Sequence, residues 1–144
     1  QKRGLFEGTV EDLNGLLGEP KWVGRLNATL DRGPWTFFWG INMVGDSSSE
    51  RENDGNTTTY RGETVRVVLK TDRVFYHNAS VSREFGEGLK AIVGVSNVFD
   101  EEPPQITTLA TDADAFVTTV GNSAFETQYD WFGRRFFLNL TKTF

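Results

Sequence analysis

The last ten residues, Arg135-Phe-Phe-Leu-Asn-Leu-Thr-Lys-Thr-Phe144, decide how the chain is read. Their even positions are Phe136, Leu138, Leu140, Lys142 and Phe144. Their odd positions are Arg135, Phe137, Asn139, Thr141 and Thr143. Side chains alternate sides along an extended strand, so one face is mostly apolar and the other mostly polar. The run has the length of ~9–11 residues that a tilted strand needs to cross a bilayer.

The same period recurs upstream. In 22–31 the apolar set Trp22, Leu26, Ala28 and Leu30 opposes Arg25, Asn27, Thr29 and Asp31. A short turn, Arg32-Gly33-Pro34, leads into 34–44, where Trp35, Phe37, Trp39, Ile41 and Met43 oppose Thr36, Phe38, Gly40 and Asn42. Two such runs joined by a tight Gly/Pro turn predict a hairpin. A second hairpin follows. In 73–85, Phe75, Ala79, Val81 and Phe85 oppose Asn78, Ser80, Ser82 and Glu84. The turn Phe85-Gly86-Glu87-Gly88 leads into 89–99, with Leu89, Ala91, Val93 and Val95 against Lys90, Gly94 and Ser96; Ile92 and Val98 break the pattern.

The chain is therefore expected to be all-β, an antiparallel meander of five or so strands near 22–31, 34–44, 73–85, 89–99 and 135–144. Even residues of the first and last strands share one face with odd residues of the other three. No segment reads as a helix.

The connections alternate in length. Two turns are tight, whereas 44–72 and 100–134 each run to roughly thirty residues, beyond ordinary loops. Short turns at one end of the strands and long loops at the other are the asymmetry of outer-membrane barrels. The first long loop is polar, Asp46-Ser-Ser-Ser-Glu-Arg-Glu-Asn-Asp-Gly-Asn56 followed by threonines. Within it, 64–70 is β-like, as an extension of a strand beyond the membrane would be.

Composition bounds the function. Among 144 residues there is no cysteine, which excludes disulfides, thiolate metal sites and cysteine nucleophiles. A net charge of −5 argues against a nucleic-acid partner. No apolar run reaches the ~18 residues of a membrane helix, but hydropathy scans are blind to strands that face lipid with alternate residues. Aromatic residues are abundant, with 12 Phe and 4 Trp, and Trp22, Trp35 and Trp39 fall where interfacial Trp is enriched in membrane proteins. The chain opens at Gln1 without Met or signal peptide, as expected of a processed protein or a fragment. A soluble β-sandwich binding or adhesion module alternates in the same way and is the competing reading. It would bury the 35–43 face under a second sheet.

Two stretches carry a family resemblance. Gly94-Val-Ser-Asn97-Val-Phe99-Asp100-Glu-Glu-Pro103-Pro104 and Tyr129-Asp130-Trp-Phe-Gly133-Arg134-Arg135-Phe136, with closure on Phe144, resemble the C-terminal strands of TonB-dependent outer-membrane receptors. Leu13-Asn14-Gly15 and Glu19-Pro20-Lys21-Trp22 look like the approach to an earlier strand of such a barrel. Lys142, third from the end, departs from the family's apolar residue there, although lysine near a bilayer edge can snorkel.

The resemblance implies that residues 1–144 are the C-terminal portion of a transmembrane barrel of about 22 strands, an open sheet if isolated, without the family's plug domain. It implies energy-coupled uptake of a scarce nutrient across the bacterial outer membrane. Ferric siderophores lead the substrate classes, ahead of cobalamin, haem and carbohydrates. The implied partners are outer-membrane lipid, the barrel assembly machinery, the nutrient, and the TonB complex through a missing N-terminal part. Phe136, Leu138, Leu140 and Phe144 would form the membrane assembly signal. Arg25, Asn27 and Asn42 would face the lumen and its plug, or simply form a wet wall.

No enzyme signature appears and no cofactor is expected. There is no Gly-x-Ser-x-Gly, phosphate loop or zinc motif. The single histidine, His77, has no second His or Cys for a metal site. Asp112-Ala-Asp114 and Asp100-Glu-Glu102 read as solvated acidic loops. Asn27, Asn56, Asn78 and Asn139 each begin an N-x-Ser/Thr sequence, but three of them fall in expected strands, against glycosylation. Gly133-Arg134-Arg135 reads as an interfacial anchor. An isolated chain would leave two sheet edges open to self-association.

Overall fold

The computed structural model describes residues 2–4, 10–51, 57–106, 119–120, 123–124 and 128–143. The chain divides into two compact units. One holds Gly24–Met43, Val74–Glu102 and Asp130–Phe144; the other holds Gln1–Val23, Val44–Arg73 and Pro103–Tyr129.

The first unit is a single sheet. Its strands are β1 (Val23–Arg32), β2 (Trp35–Val44), β3 (Val74–Phe85), β4 (Leu89–Ser96) and β5 (Arg135–Lys142). They lie in the order β5-β4-β3-β2-β1, a meander in which sequence neighbours are spatial neighbours. The ends of this order are β1 and β5. All five expected strands are present, within a residue or two of their expected starts.

Register settles the faces. β4 pairs antiparallel with β5 as Ala91↔Leu140, Val93↔Leu138 and Val95↔Phe136. It pairs with β3 as Ala91↔Arg83, Val93↔Val81 and Val95↔Ala79. Directly paired residues share a face. Between β1 and β2, Arg25 Nε donates to Asn42 Oδ1 at 2.8 Å, and Thr36 Oγ1 donates to Asp31 Oδ1 at 2.6 Å. Odd residues of β1 thus lie with even residues of β2. Trp39 Nε1 donates to His77 Nδ1 at 3.2 Å, which joins the odd faces of β2 and β3. The alternation read from the sequence is therefore the alternation of the sheet.

The tight turns lie at one end of the sheet and the long connections leave from the other. Arg32 belongs to β1, so the first turn has only two residues, Gly33 and Pro34. Gly33 has φ 58°, and proline cannot adopt positive φ. This fits the type II′ hairpin, which takes glycine at its first central position. The second turn is Gly86-Glu87-Gly88, with Phe85 and Leu89 facing each other across it.

Two strand ends differ from expectation by more than one residue. β4 ends at Ser96, not at residue 99, because Asn97 (φ 53°) and Asp100 (φ 59°) turn left-handed, a region that Asn and Asp tolerate best. β5 ends at Lys142, and Phe144 lies outside the described residues.

The second unit corrects the reading of 44–72 as a long polar loop with one β-like stretch. Thr57–Tyr60 and Glu63–Arg66 form their own hairpin around Arg61-Gly62, and Lys70–Thr71 pairs with Ser47–Ser48. The 64–70 segment is therefore no extension of β3. Short ladders also join Lys2–Gly4 to Val10–Asp12, and Thr119–Val120 to Ser123–Ala124.

The core of this unit contains Leu16, Leu17, Val44, Ile106 and Tyr129. Ser47 and Ser49, within the stretch read as a polar loop, are buried. Their hydroxyls are satisfied there: Ser47 Oγ lies 2.7 Å from Thr71 Oγ1, and Ser49 Oγ accepts from Leu69 N at 3.0 Å. That satisfaction is what allows polar side chains inside. At the surface, the Lys21 ammonium lies 2.6 Å from Asp46 and holds its carboxyl below the usual carboxylate range.

Among the described residues the only helical element is a 3-10 turn, Ser49–Arg51. No described helix is long and apolar enough to cross a membrane, which says nothing about strands.

Candidate functional site

One face of the sheet is apolar and open. On β5, Phe136, Leu138 and Leu140 are 74%, 66% and 65% exposed; on β1, Leu26 and Leu30 are 57% and 63% exposed. Trp35, Phe37, Trp39, Phe75, Phe85, Leu89 and Val93 continue the exposed set across the intervening strands. Burying one such side chain is worth about 1.5–3 kcal/mol. A contiguous exposed patch of this extent marks a surface that meets a protein partner, a membrane or a ligand. A groove of about 500 Å³ crosses it, lined by Phe37, Trp39, Ala79, Val81, Val93 and Val95 among others. Ala28 and Ala79 are small side chains in its lining.

At the end of β4 this face carries an aromatic cluster. The His77 ring sits 5.0 Å edge-on from Phe99 and 5.6 Å from Trp39, whose indole N–H it accepts. An acceptor Nδ1 places the ring proton on Nε2. His77 thus works as an aromatic spacer among apolar neighbours. The sequence concealed this because Phe99 lies beyond the strand.

The opposite face is polar and carries all three lumen candidates. Arg25 and Asn42 are hydrogen-bonded to each other. Asn27 Oδ1 would lie 3.1 Å from a Cβ built on the buried Gly40. The three therefore form one cluster on β1 and β2. Two phenyl rings lie down over glycines on this face. A Cβ on Gly40 would meet Phe38 Cζ at 2.9 Å, and one on Gly94 would meet Phe137 Cζ at 2.2 Å. The rings cover bare backbone and leave the face low. Phe38 and Phe137, apolar interruptions in the sequence pattern, fill space left by glycine.

The two C-terminal motifs meet in the structure. Asn97 is fully buried. Its side chain donates to Glu101 O and accepts from Glu101 N, both at 2.8 Å, while its backbone N donates to Asn78 Oδ1 at 3.1 Å. This closes the turn after β4. Asp100 Oδ1 then accepts from Arg134 N at 2.7 Å. Gly133 has φ 65°, and a Cβ there would sit 2.9 Å from Asp100 Oδ1, so this position needs glycine for two reasons. Asp130 accepts a two-pronged bond from Arg135 at 2.8 and 2.9 Å, and the guanidinium also lies over Phe132. The motifs are thus a latch that fixes where β5 starts, and Gly133-Arg134-Arg135 is part of it.

The structure therefore brings Phe136, Leu138 and Leu140 onto one exposed face of a strand at the end of the sheet order, and Arg25, Asn27 and Asn42 into one cluster on the other face. Phe144, Asn56, Asp112 and Asp114 lie outside the described residues. Asp100, Glu101 and Glu102 are exposed, as a solvated acidic run would be, and Asp100 is also the acceptor of the latch. Among the described residues no group of three or more His, Asp or Glu side chains is placed to hold a metal ion. No protein family, curated protein or solved structure matches the chain.

Proposed function

We propose that this chain is the C-terminal part of a TonB-dependent receptor barrel in a bacterial outer membrane, and that the intact protein takes up a scarce nutrient, a ferric siderophore in the first instance. The observation that supports it most is the two-faced sheet, with a wide apolar face left open and a polar face built from Arg25, Asn27 and Asn42. The apolar face would meet lipid, and the polar face would meet the lumen and plug. The placement of tight turns at one end and long connections at the other supports the same reading, because it matches periplasmic and extracellular sides. The role is transport and recognition, not catalysis. Partners are lipid, the assembly machinery, the nutrient and the energy-coupling complex. On this reading the second unit would be extracellular and help to bind the nutrient.

A soluble β-sandwich module would need a second sheet over Phe136, Leu138 and Leu140, and their exposure weighs against it. The experiment is membrane fractionation of cells expressing the intact protein, with uptake of labelled ferric siderophore under iron limitation. The proposal expects outer-membrane recovery and uptake that is lost on deletion. A protein recovered soluble and monomeric without detergent would contradict it.

A further inference from the structure

At the tight-turn end of the apolar face the charges separate by side. Arg83 points to the apolar face, where its guanidinium lies 4.8 Å from the Trp35 ring centroid and 4.9 Å from that of Phe85. Arg32, the last residue of β1, lies across the two-residue turn from Trp35 and shares its face. Two acids of the same rim point the other way, Asp31 accepting from Thr36 and Glu84 pairing with Lys90 at 3.4 Å, while Glu87 sits in the β3–β4 turn. Among the described residues neither arginine forms an ion pair. Arg32, Trp35 and Arg83 therefore occupy three adjacent strands, and the two strands that carry the arginines lie roughly 10 Å apart on either side of β2.

The apolar groove begins one row further along the same face. Val81 and Ala79, which line it, are two and four residues before Arg83 on β3. Thr29, Phe38, Ser80 and Gly94 also border it, but their side chains belong to the opposite face, so they contribute floor. Its size is that of a ligand site. A cation pair leading into a hydrocarbon groove matches a molecule with an anionic head and an apolar tail.

We infer that Arg32 and Arg83 bind the phosphate of a glycerophospholipid over Trp35, with one acyl chain lying in the groove above Ala79. The inference rests on the membrane reading proposed above. It places the lipid in the periplasmic leaflet, on the side of the short turns. Guanidinium forks suit phosphate oxygens, and Trp35 supplies the interfacial ring beside them. The arginines thus fix the depth at which this part of the barrel sits in the bilayer.

The test uses the intact protein folded in detergent, titrated with palmitoyl-oleoyl phosphatidylglycerol and read by native mass spectrometry. Diacylglycerol with the same chains and inorganic phosphate are the control probes. Arg32→Ala with Arg83→Ala should weaken phosphatidylglycerol binding roughly tenfold, on the order of one charge-assisted hydrogen bond, and leave diacylglycerol binding unchanged. Ala79→Trp, which fills the groove, should weaken both lipids. Inorganic phosphate should displace neither. Equal phosphatidylglycerol binding by wild type and the double variant would overturn the inference. So would displacement by inorganic phosphate, or full retention of both lipids by Ala79→Trp. If the double variant gives no folded barrel, Arg83→Gln alone is read in the same way. A heat-modifiable protein that binds lipid regardless of its arginines would contradict only this inference, whereas a detergent-independent protein that binds no lipid would contradict the membrane reading itself.

Discussion

Asp100 accepts a hydrogen bond from the backbone N–H of Arg134 at 2.7 Å, and this bond joins positions 34 residues apart in sequence. It holds the start of β5 against the turn that ends β4. Asp100 also has a left-handed backbone, φ 59°. Asp100→Ala removes the acceptor and leaves a residue poorly suited to that φ. It should lower stability of the intact protein by about 1–2 kcal/mol. Asp100→Asn keeps an acceptor and the tolerated backbone, so it should cost less. Urea midpoints of the two variants check the order. Equal losses would mean that the bond carries little.

A second prediction concerns Gly94 and Phe137, directly paired on the polar face. The Cβ of Gly94→Ala would collide with the ring of Phe137. The ring must move, at a cost of about 1–3 kcal/mol. Phe137→Leu should relieve most of that cost when combined with Gly94→Ala. The double variant should therefore be more stable than the sum of the single losses predicts, in a double-mutant cycle. Simple additivity would mean that the ring does not occupy the glycine's space.

Much of the sheet was legible because alternation is a physical requirement of a two-faced sheet. Tryptophans, leucines and phenylalanines at period 2 in 22–31, 34–44 and 135–144 leave one consistent register. The hairpin 57–66 was not legible, since its threonines and charged residues are largely solvent-facing and show no apolar period. The burial of Ser47 and Ser49 was hidden for a related reason. Their polarity suggests water, and only partners distant in sequence, Thr71 and Leu69, make burial tolerable. Asn97, Asp100 and Gly133 stood out as motif residues, but their latch depends on a contact between segments that sequence spacing does not connect. Arg32 read as part of a turn, and only the register sets it and Arg83 on either side of Trp35.

Deletion of Phe144 separates assembly from function. On the proposed reading, Phe144 would end the segment that the assembly machinery recognises by strand addition. If the proposal holds, its loss should lower the outer-membrane level of the intact protein while leaving near-normal substrate affinity in the molecules that insert. The checks are a quantitative immunoblot of the outer-membrane fraction and a binding isotherm on the same cells. A normal level would remove the assembly role, and a normal level with lost affinity would assign Phe144 to binding.

The central claim is that the open apolar face meets lipid. Leu138 and Asn139 are neighbours on β5 that point to opposite faces, beside Val93 and Ile92 respectively. Arginine at a lipid-facing position near mid-bilayer costs about 2–4 kcal/mol, and far less where the side chain meets water. The direct measurement is the folded fraction of the intact protein in outer membranes, read by heat-modifiable gel mobility, for Leu138→Arg and Asn139→Arg. The account predicts a large loss of folded barrel for Leu138→Arg and near-wild-type folding for Asn139→Arg. Equal folding of the two variants, or the reverse order, would contradict it.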